Sequence, residues 1–174
     1  MRRFEAWFWA AAIWLVDFLS KRVVLQHADS LRFDRVEVLG DFFRLAYVRN
    51  PGAAMGLTPF GRWALVAISA GAAILLIWFL AVTPAGARWR RLAMGLILGG
   101  ALGNLVDRLF YDGLVVDFLD FGIGPHRFWT FNVADIGVTC GGALLLICLL
   151  TDEVRERRRR SAPVISPPPD GDHD

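Results

Sequence analysis

Leu92-Ala93-Met94-Gly95-Leu96-Ile97-Leu98-Gly99-Gly100-Ala101-Leu102-Gly103-Asn104-Leu105-Val106-Asp107-Arg108 decides how this chain is built. The run Leu92–Val106 holds no charge, yet a helix needs roughly 20 apolar residues to cross the hydrocarbon core of a bilayer. Arg88, Arg90 and Arg91 precede the run and belong among lipid headgroups, so the helix lengthens only forward, through Asn104, Asp107 and Arg108.

Working outward, three more apolar stretches stand out: Phe4–Leu19, Trp63–Val82 and Ile136–Leu150. The last is closed behind by Asp152 and the Arg157–Arg160 run, so it lengthens backward through Asp135 and Asn132. Polar side chains are thereby drawn to the same end of both helices. The expected fold is an all-α membrane protein of four transmembrane helices, with spans near 4–21, 63–82, 90–110 and 132–151. Composition agrees: 55% of residues are hydrophobic and the mean hydropathy is +0.43, above an ordinary globular domain. A net charge of +2 gives no reason to expect nucleic acid.

Basic clusters at Arg2/Arg3, Arg88–Arg91 and Arg155–Arg160 alternate with the spans so as to fall on one side, which the positive-inside rule makes cytoplasmic. Both termini are expected there, and the loops 20–62 and 111–130 on the outer face. In the longer loop Phe33, Arg35 and Glu37 alternate against Phe43, Leu45 and Tyr47, with Gly40-Asp41 as the turn, which predicts a small sheet. Residues 1–155 form the membrane-embedded unit, and 156–174, basic and then Pro-rich, are expected as a disordered cytoplasmic tail. Arg2, Arg3 and the apolar run behind them resemble a signal peptide, but no small-residue cleavage site follows.

Ionisable groups at membrane depth are costly and are default candidates for function. Here they are Asp17, Lys21, Asp107, Arg108, Asp117 and Asp135, beside the amides Asn50, Asn104 and Asn132. Asp17 and Lys21, four apart, share a helix face and suit an ion pair. Asp107 and Arg108 diverge and need separate partners. For Asp107 a structural partner is expected; for Arg108 a carboxylate, a backbone carbonyl or a lipid phosphate. Asp117 and Asp120 interrupt an apolar stretch, with Asp120 read as the solvated member. Asp135 stands where a helix begins and suits a capping role as well as a chemical one.

Elimination narrows the chemistry. His27, His126 and His173 are scattered without metal-ligand spacing, so no metal or other cofactor is expected. Cys140 and Cys148 lie within one apolar run without a basic partner, and no Gly-x-Ser-x-Gly elbow occurs. Paired carboxylates remain: two close acids share one proton and offer an acid and a base together, suited to activating water against an amide. A proton-coupled transporter stays open as an alternative, as does an assembly protein packed through Gly95, Gly99 and Gly103.

Five blocks resemble the motifs of the lipoprotein signal peptidase family, signal peptidase II. They are Asp17 to Lys21, Asn50-Pro51-Gly52-Ala53-Ala54-Met55-Gly56, Gly99 to Arg108, Val115-Val116-Asp117-Phe118 and Phe131-Asn132-Val133-Ala134-Asp135. The resemblance implies four transmembrane helices with a small periplasmic sheet, in the bacterial cytoplasmic membrane. It implies that Asp117 and Asp135 are catalytic, that Asn50, Gly52, Asn104, Arg108, Asn132 and Ala134 line the site, and that Asp17, Lys21 and Asp107 support it. The implied substrate is a prolipoprotein carrying diacylglycerol on its lipobox cysteine, cut on the N-terminal side of that cysteine; membrane lipids and globomycin-type cyclic peptides are the other implied partners. Met55 departs from the family's usual Phe, and the stretch from Arg108 to Asp117 is one residue longer than usual. Asp117 is preferred over Asp112 because Val-Val-Asp-Phe matches directly.

Overall fold

Glycines set how closely the helices approach. The computed structural model describes residues 4–51 and 61–161. Its central element is the helix α4 (Arg88–Phe110), which packs against α1 (Glu5–Gln26), α3 (Arg62–Val82) and α5 (Val133–Arg160). A Cβ on Gly99 would lie 2.5 Å from the Ala10 carbonyl oxygen of α1, and one on Gly141 of α5 would lie 2.7 Å from the Ala93 carbonyl of α4. Gly95 meets the Ala6 backbone and Gly100 the Ala134 carbonyl in the same way. Such contacts let apolar helices associate by backbone approach. Arg91 is buried and donates to the Leu80 and Thr83 carbonyls at 2.7 and 2.9 Å, satisfying acceptors that the end of α3 leaves open.

Three of the described helices, α3, α4 and α5, are long and apolar enough to cross a membrane. Their outer surfaces carry exposed apolar side chains, among them Ile74, Trp78, Leu146 and Ile147, where a water-soluble bundle would be polar. Helix α1 has comparable length but carries Glu5, Asp17, Lys21 and Arg22.

At one end of the bundle lies a four-stranded antiparallel sheet in the order β1-β2-β3-β4: β1 is Val36–Leu39, β2 Phe43–Asn50, β3 Val115–Ile123 and β4 His126–Arg127. The hairpin turns at Gly40, whose φ of 50° is left-handed, and Asp41, as the sequence predicts. Its start differs. Phe33 closes a short helix, α2 (Ala28–Phe33), and pairing begins with Val36 opposite Leu45. The helical turn buries Leu31 against Val24 and Tyr47 and leaves Phe33 exposed, whereas a strand would not. The sheet is also wider than expected, because β3 comes from the second loop and is an interior strand. Val116 and Phe118 of β3 join Val24, Leu31 and Tyr47 in one apolar cluster, which fixes the sheet to the end of α1.

Residues 156–160, expected in the tail, continue α5 as helix. Glu153 pairs with Arg157 at 2.6 Å and Glu156 with Arg160 at 2.5 Å, the one-turn spacing that supports an exposed helix. The remainder of the expected tail, 162–174, lies outside the described residues.

Candidate active site

Four elements converge where the sheet meets the bundle: β2 with Asn50, β3 with Asp117, the outer half of α4 with Asn104, Asp107 and Arg108, and the first turn of α5 with Asn132 and Asp135. Helix α1 adds Asp17 and Lys21 from behind.

Asn132 organises the front of this cluster. It caps α5: its side-chain oxygen accepts from the Asp135 N–H at 2.9 Å, and the Asp135 Oδ2 accepts from the Asn132 N–H at 3.3 Å. This reciprocal pair satisfies donors that a helix start leaves open. Asp135 therefore fills the capping role expected for it with one oxygen and leaves the other, Oδ1, to accept from Asn104. With its oxygen committed, Asn132 turns its NH2 to the Asp117 Oδ1 at 2.6 Å, and also meets the Asn104 oxygen at 3.2 Å. Asn50 donates to the other Asp117 oxygen at 2.8 Å, and Asn104 donates to the Asp135 Oδ1 at 2.8 Å. Both acids thus receive neutral donors.

Behind them Lys21 is 3% exposed, forms ion pairs with Asp17 Oδ2 and Asp107 Oδ2, each at 2.8 Å, and donates to Asn104 Oδ1 at 3.0 Å. Asp17 also accepts from the Ala134 N–H at 2.8 Å, and Asp107 from the Val116 N–H at 3.0 Å. These bonds tie the first turn of α5 to α1 and β3 to α4. A buried charge is tolerated when paired and hydrogen-bonded, and each member of this trio is. The Asp17–Lys21 pair is present as the spacing predicts, but it extends to Asp107 and Asn104. Gly103 makes room for it: a Cβ there would lie 2.5 Å from Asp17 Oδ2.

In front of the acids lies an open cleft of about 520 Å³ lined by Asn50, Asn104, Arg108, Asp117 and Asp135 on one side and by Phe128, Trp129, Phe131, Ile136, Val138, Thr139 and Cys140 on the other. Asp117 is buried at its floor and Asp135 half-buried at its rim. Burial pushes the Asp117 carboxyl up to about 6, and the nearby Asp135 adds to the rise; the amide donors Asn50 and Asn132 and the charge of Lys21 oppose it.

The structure therefore gathers Asn50, Asn104, Arg108, Asn132, Ala134, Asp117 and Asp135, together with Asp17, Lys21 and Asp107. Gly52 and Met55 lie outside the described residues. Asp112, the alternative to Asp117, is exposed in a left-handed turn and pairs with Arg62 at 3.0 Å, away from the cleft. One reading is corrected. Asp120 is 2% exposed rather than solvated, and it is paired with Arg35 at 3.2 Å, Arg44 at 3.4 Å and Arg127 at 3.0 Å. Among the described residues, Arg108 donates to the Ser69 hydroxyl of α3 at 3.2 Å, a partner that was not expected. The sequence reading missed Ser69, and it expected an apolar wall of Trp and Phe residues without identifying which ones form it. For the wall a signal was available, since Phe128-Trp129-Thr130-Phe131 runs directly into Asn132.

The family model described as signal peptidase (SPase) II matches residues 9–151. A lipoprotein signal peptidase of Desulfitobacterium hafniense is 42% identical over 152 residues, covering 86% of this chain and 95% of that protein. One from Shewanella amazonensis is 40% identical over 146 residues, covering 81% of this chain and 84% of that protein. Among solved structures, a bacterial membrane enzyme at 2.3 Å resolution superposes with a TM-score of 0.78 at 29% identity, covering 91% of this chain and 93% of that chain.

Proposed function

This chain belongs to the signal peptidase II family, and on that premise we propose that it is an aspartyl endopeptidase that removes the signal peptide from diacylglyceryl-modified prolipoproteins, with Asp117 and Asp135 as its catalytic pair. The observation that carries this reading is Asn132. One capping residue, fully buried, bonds the Asp117 carboxyl through its NH2 and exchanges hydrogen bonds with Asp135, and so holds both acids to one cleft.

The chemistry follows from a pair holding one proton. Asp117, the more buried acid with its carboxyl raised to about 6, is assigned the shared proton, and Asp135 at the rim takes the role of base. A water between them loses a proton to Asp135 as its oxygen attacks the scissile carbonyl carbon. Asp117 gives its proton to the amide nitrogen as the C–N bond breaks. The products are a signal peptide with a new carboxylic acid, whose proton passes to the freed amine of the lipidated cysteine, and return of the proton from Asp135 to Asp117 resets the pair. Asn50, Asn104 and Arg108 offer donors for the extended peptide and the developing oxyanion, and the wall from Phe128 to Cys140 suits acyl chains.

In this reading α1 is the fourth crossing, with its charged face turned onto α4. The sheet and cleft lie at the periplasmic face of the bacterial cytoplasmic membrane and both termini are cytoplasmic. Residues 1–155 form the catalytic unit. Purified protein incubated with a diacylglyceryl prolipoprotein peptide should release the signal peptide immediately before the modified cysteine, and globomycin should block the release. No cleavage of the lipidated peptide, or cleavage at another bond, overturns the proposal.

A further inference from the structure

A side-chain amide has two nearly isosteric ends, and only its partners decide which end faces which way. For the amide beside Asp135 that decision falls to a residue behind the cleft. We propose that Lys21 is a positioning residue, locking the Asn104 amide with its oxygen turned back and its NH2 aimed at the Asp135 carboxyl. The inference rests on Asp117 and Asp135 being the reacting pair.

Three observations carry it. Lys21 is donor-only, so at 3.0 Å it can meet only the oxygen of Asn104; the NH2 must then point the other way, and it is found 2.8 Å from Asp135 Oδ1. Secondly, ion pairs to Asp17 and Asp107, each at 2.8 Å, anchor the Lys21 ammonium behind Asn104, to which it donates. Thirdly, the other donor to the Asn104 oxygen, Asn132, is no substitute. Its NH2 has two hydrogens, and alternative acceptors stand at Asp117 Oδ1, 2.6 Å away, and the Val116 carbonyl, 3.4 Å away. At Asp117 one of the two amide donors has no such dependence, because the NH2 of Asn132 is oriented by a backbone N–H of α5. One acid is served by an amide fixed by main chain, the other by an amide fixed by a lysine on a different helix. Without Lys21 the Asn104 amide is free to reverse and present its oxygen to Asp135, acceptor against acceptor.

The test is a double-mutant cycle on kcat in the full-length protein. Lys21→Met should lower kcat by roughly 100-fold, the scale of a small misplacement at a reacting group, and leave KM within about threefold, since Asn50, Arg108 and the apolar wall are untouched. In an Asn104→Ala background the same change should cost less than about threefold, because the residue it acts through is gone. Lys21→Met with Asp107→Asn keeps the net charge of the trio and should show the same kcat loss if the single variant misfolds. Should both misfold, the 15N side-chain amide resonance of Asn104 in otherwise native protein should move with Asp135→Asn and stay with Asp117→Asn; the opposite response overturns the proposal. So do a Lys21→Met loss that multiplies in the Asn104→Ala background, a change in KM alone, and a normal kcat beside an inactive Asp135→Asn. A fully active Asp135→Asn instead breaks the assignment of the pair.

Discussion

Asp117 and Asp120 stand three residues apart on β3, the strand's two-residue repeat puts them on opposite faces, and they are buried alike, 1% and 2% exposed. Asp120 faces the guanidinium groups of Arg35, Arg44 and Arg127, two of which also bind Asp41. Asp117 faces the amides of Asn50 and Asn132. Depth does not separate the two carboxylates; the charge of their donors does. Cations compensate Asp120 and make it a fastener, joining β2, β3, β4 and the segment before β1. Neutral donors hold Asp117 in place without compensating its charge, and burial then raises its affinity for a proton.

The largest effect expected from this contrast is on turnover. Asp117→Asn and Asp135→Asn should each cut cleavage of a lipidated prolipoprotein peptide by at least about 10³-fold, because an amide keeps the shape but cannot take or return a proton. In the proposed mechanism the pair acts as one unit, so the double variant should be no slower than either single one. Losses that multiply would give the acids separate roles and break the comparison. Asp120→Asn should do the reverse, leaving cleavage per folded molecule within a few fold while lowering stability by about 3–5 kcal/mol, the cost of removing one partner from a buried ion cluster. Thermal unfolding in detergent measures it, and a stable but inactive Asp120→Asn would place Asp120 in the chemistry.

How legible this was follows from how local each feature is. The apolar run Trp63–Val82 and the helix Arg62–Val82 nearly coincide, because a helix long enough to cross a membrane writes itself as an uninterrupted stretch. Gly40-Asp41 announces its turn for the same reason. The glycines of α4 were legible as packing residues, and they bring α1 close enough for Asp17 to sit beside Gly103. By contrast β3 was not legible. Its partner strand β2 is far away in the chain, and Val115–Ile123 reads equally well as any buried apolar segment. Asp120 was misread for that reason, since its three arginines come from separate parts of the chain that only the sheet brings together. Most polar residues lining the cleft were reachable from motif blocks, while Ser69 beside Arg108 was not: one hydroxyl in an apolar span carries no pattern.

A smaller effect concerns pH. The Asp117 carboxyl is raised from an ordinary 3.8 to about 6 by burial. The folded state therefore binds this proton more tightly than the unfolded chain does, so the associated stability is full below about 3.8 and is lost as pH rises through about 6. Asp117→Asn removes that loss, and the variant should exceed the native protein in stability by about 1–3 kcal/mol at pH 8, with the gap closing toward pH 4. The same proton supports the acid role, so kcat/KM should fall as pH rises through about 6, with an apparent value that belongs to the pair. A gap that widens toward acid would mean that burial does not govern Asp117 and would erase its difference from Asp120.

The smallest effect tests what keeps the cleft from becoming a second fastener. Arg108 lines the same cleft as Asp117 and Asp135, and a guanidinium laid across them would reproduce the surroundings of Asp120. Among the described residues its hydrogen bond goes to the Ser69 hydroxyl on α3 at 3.2 Å, and its Nε is buried without a hydrogen-bond partner. Ser69 thus holds the cation to the side of the cleft, where it is available to a peptide carbonyl. Ser69→Ala removes an acceptor for a charged donor, an interaction of about 1 kcal/mol, and Arg108 is then free to turn to the carboxylates. A loss of about fivefold in kcat/KM is expected, carried by both constants, because substrate loses a donor and the pair gains a cation. Ser69→Thr keeps the hydroxyl and should restore activity to within about twofold. Full activity in Ser69→Ala would show that Arg108 is held by the walls of the cleft instead, and that the neutrality of the donors around Asp117 is maintained without help from α3.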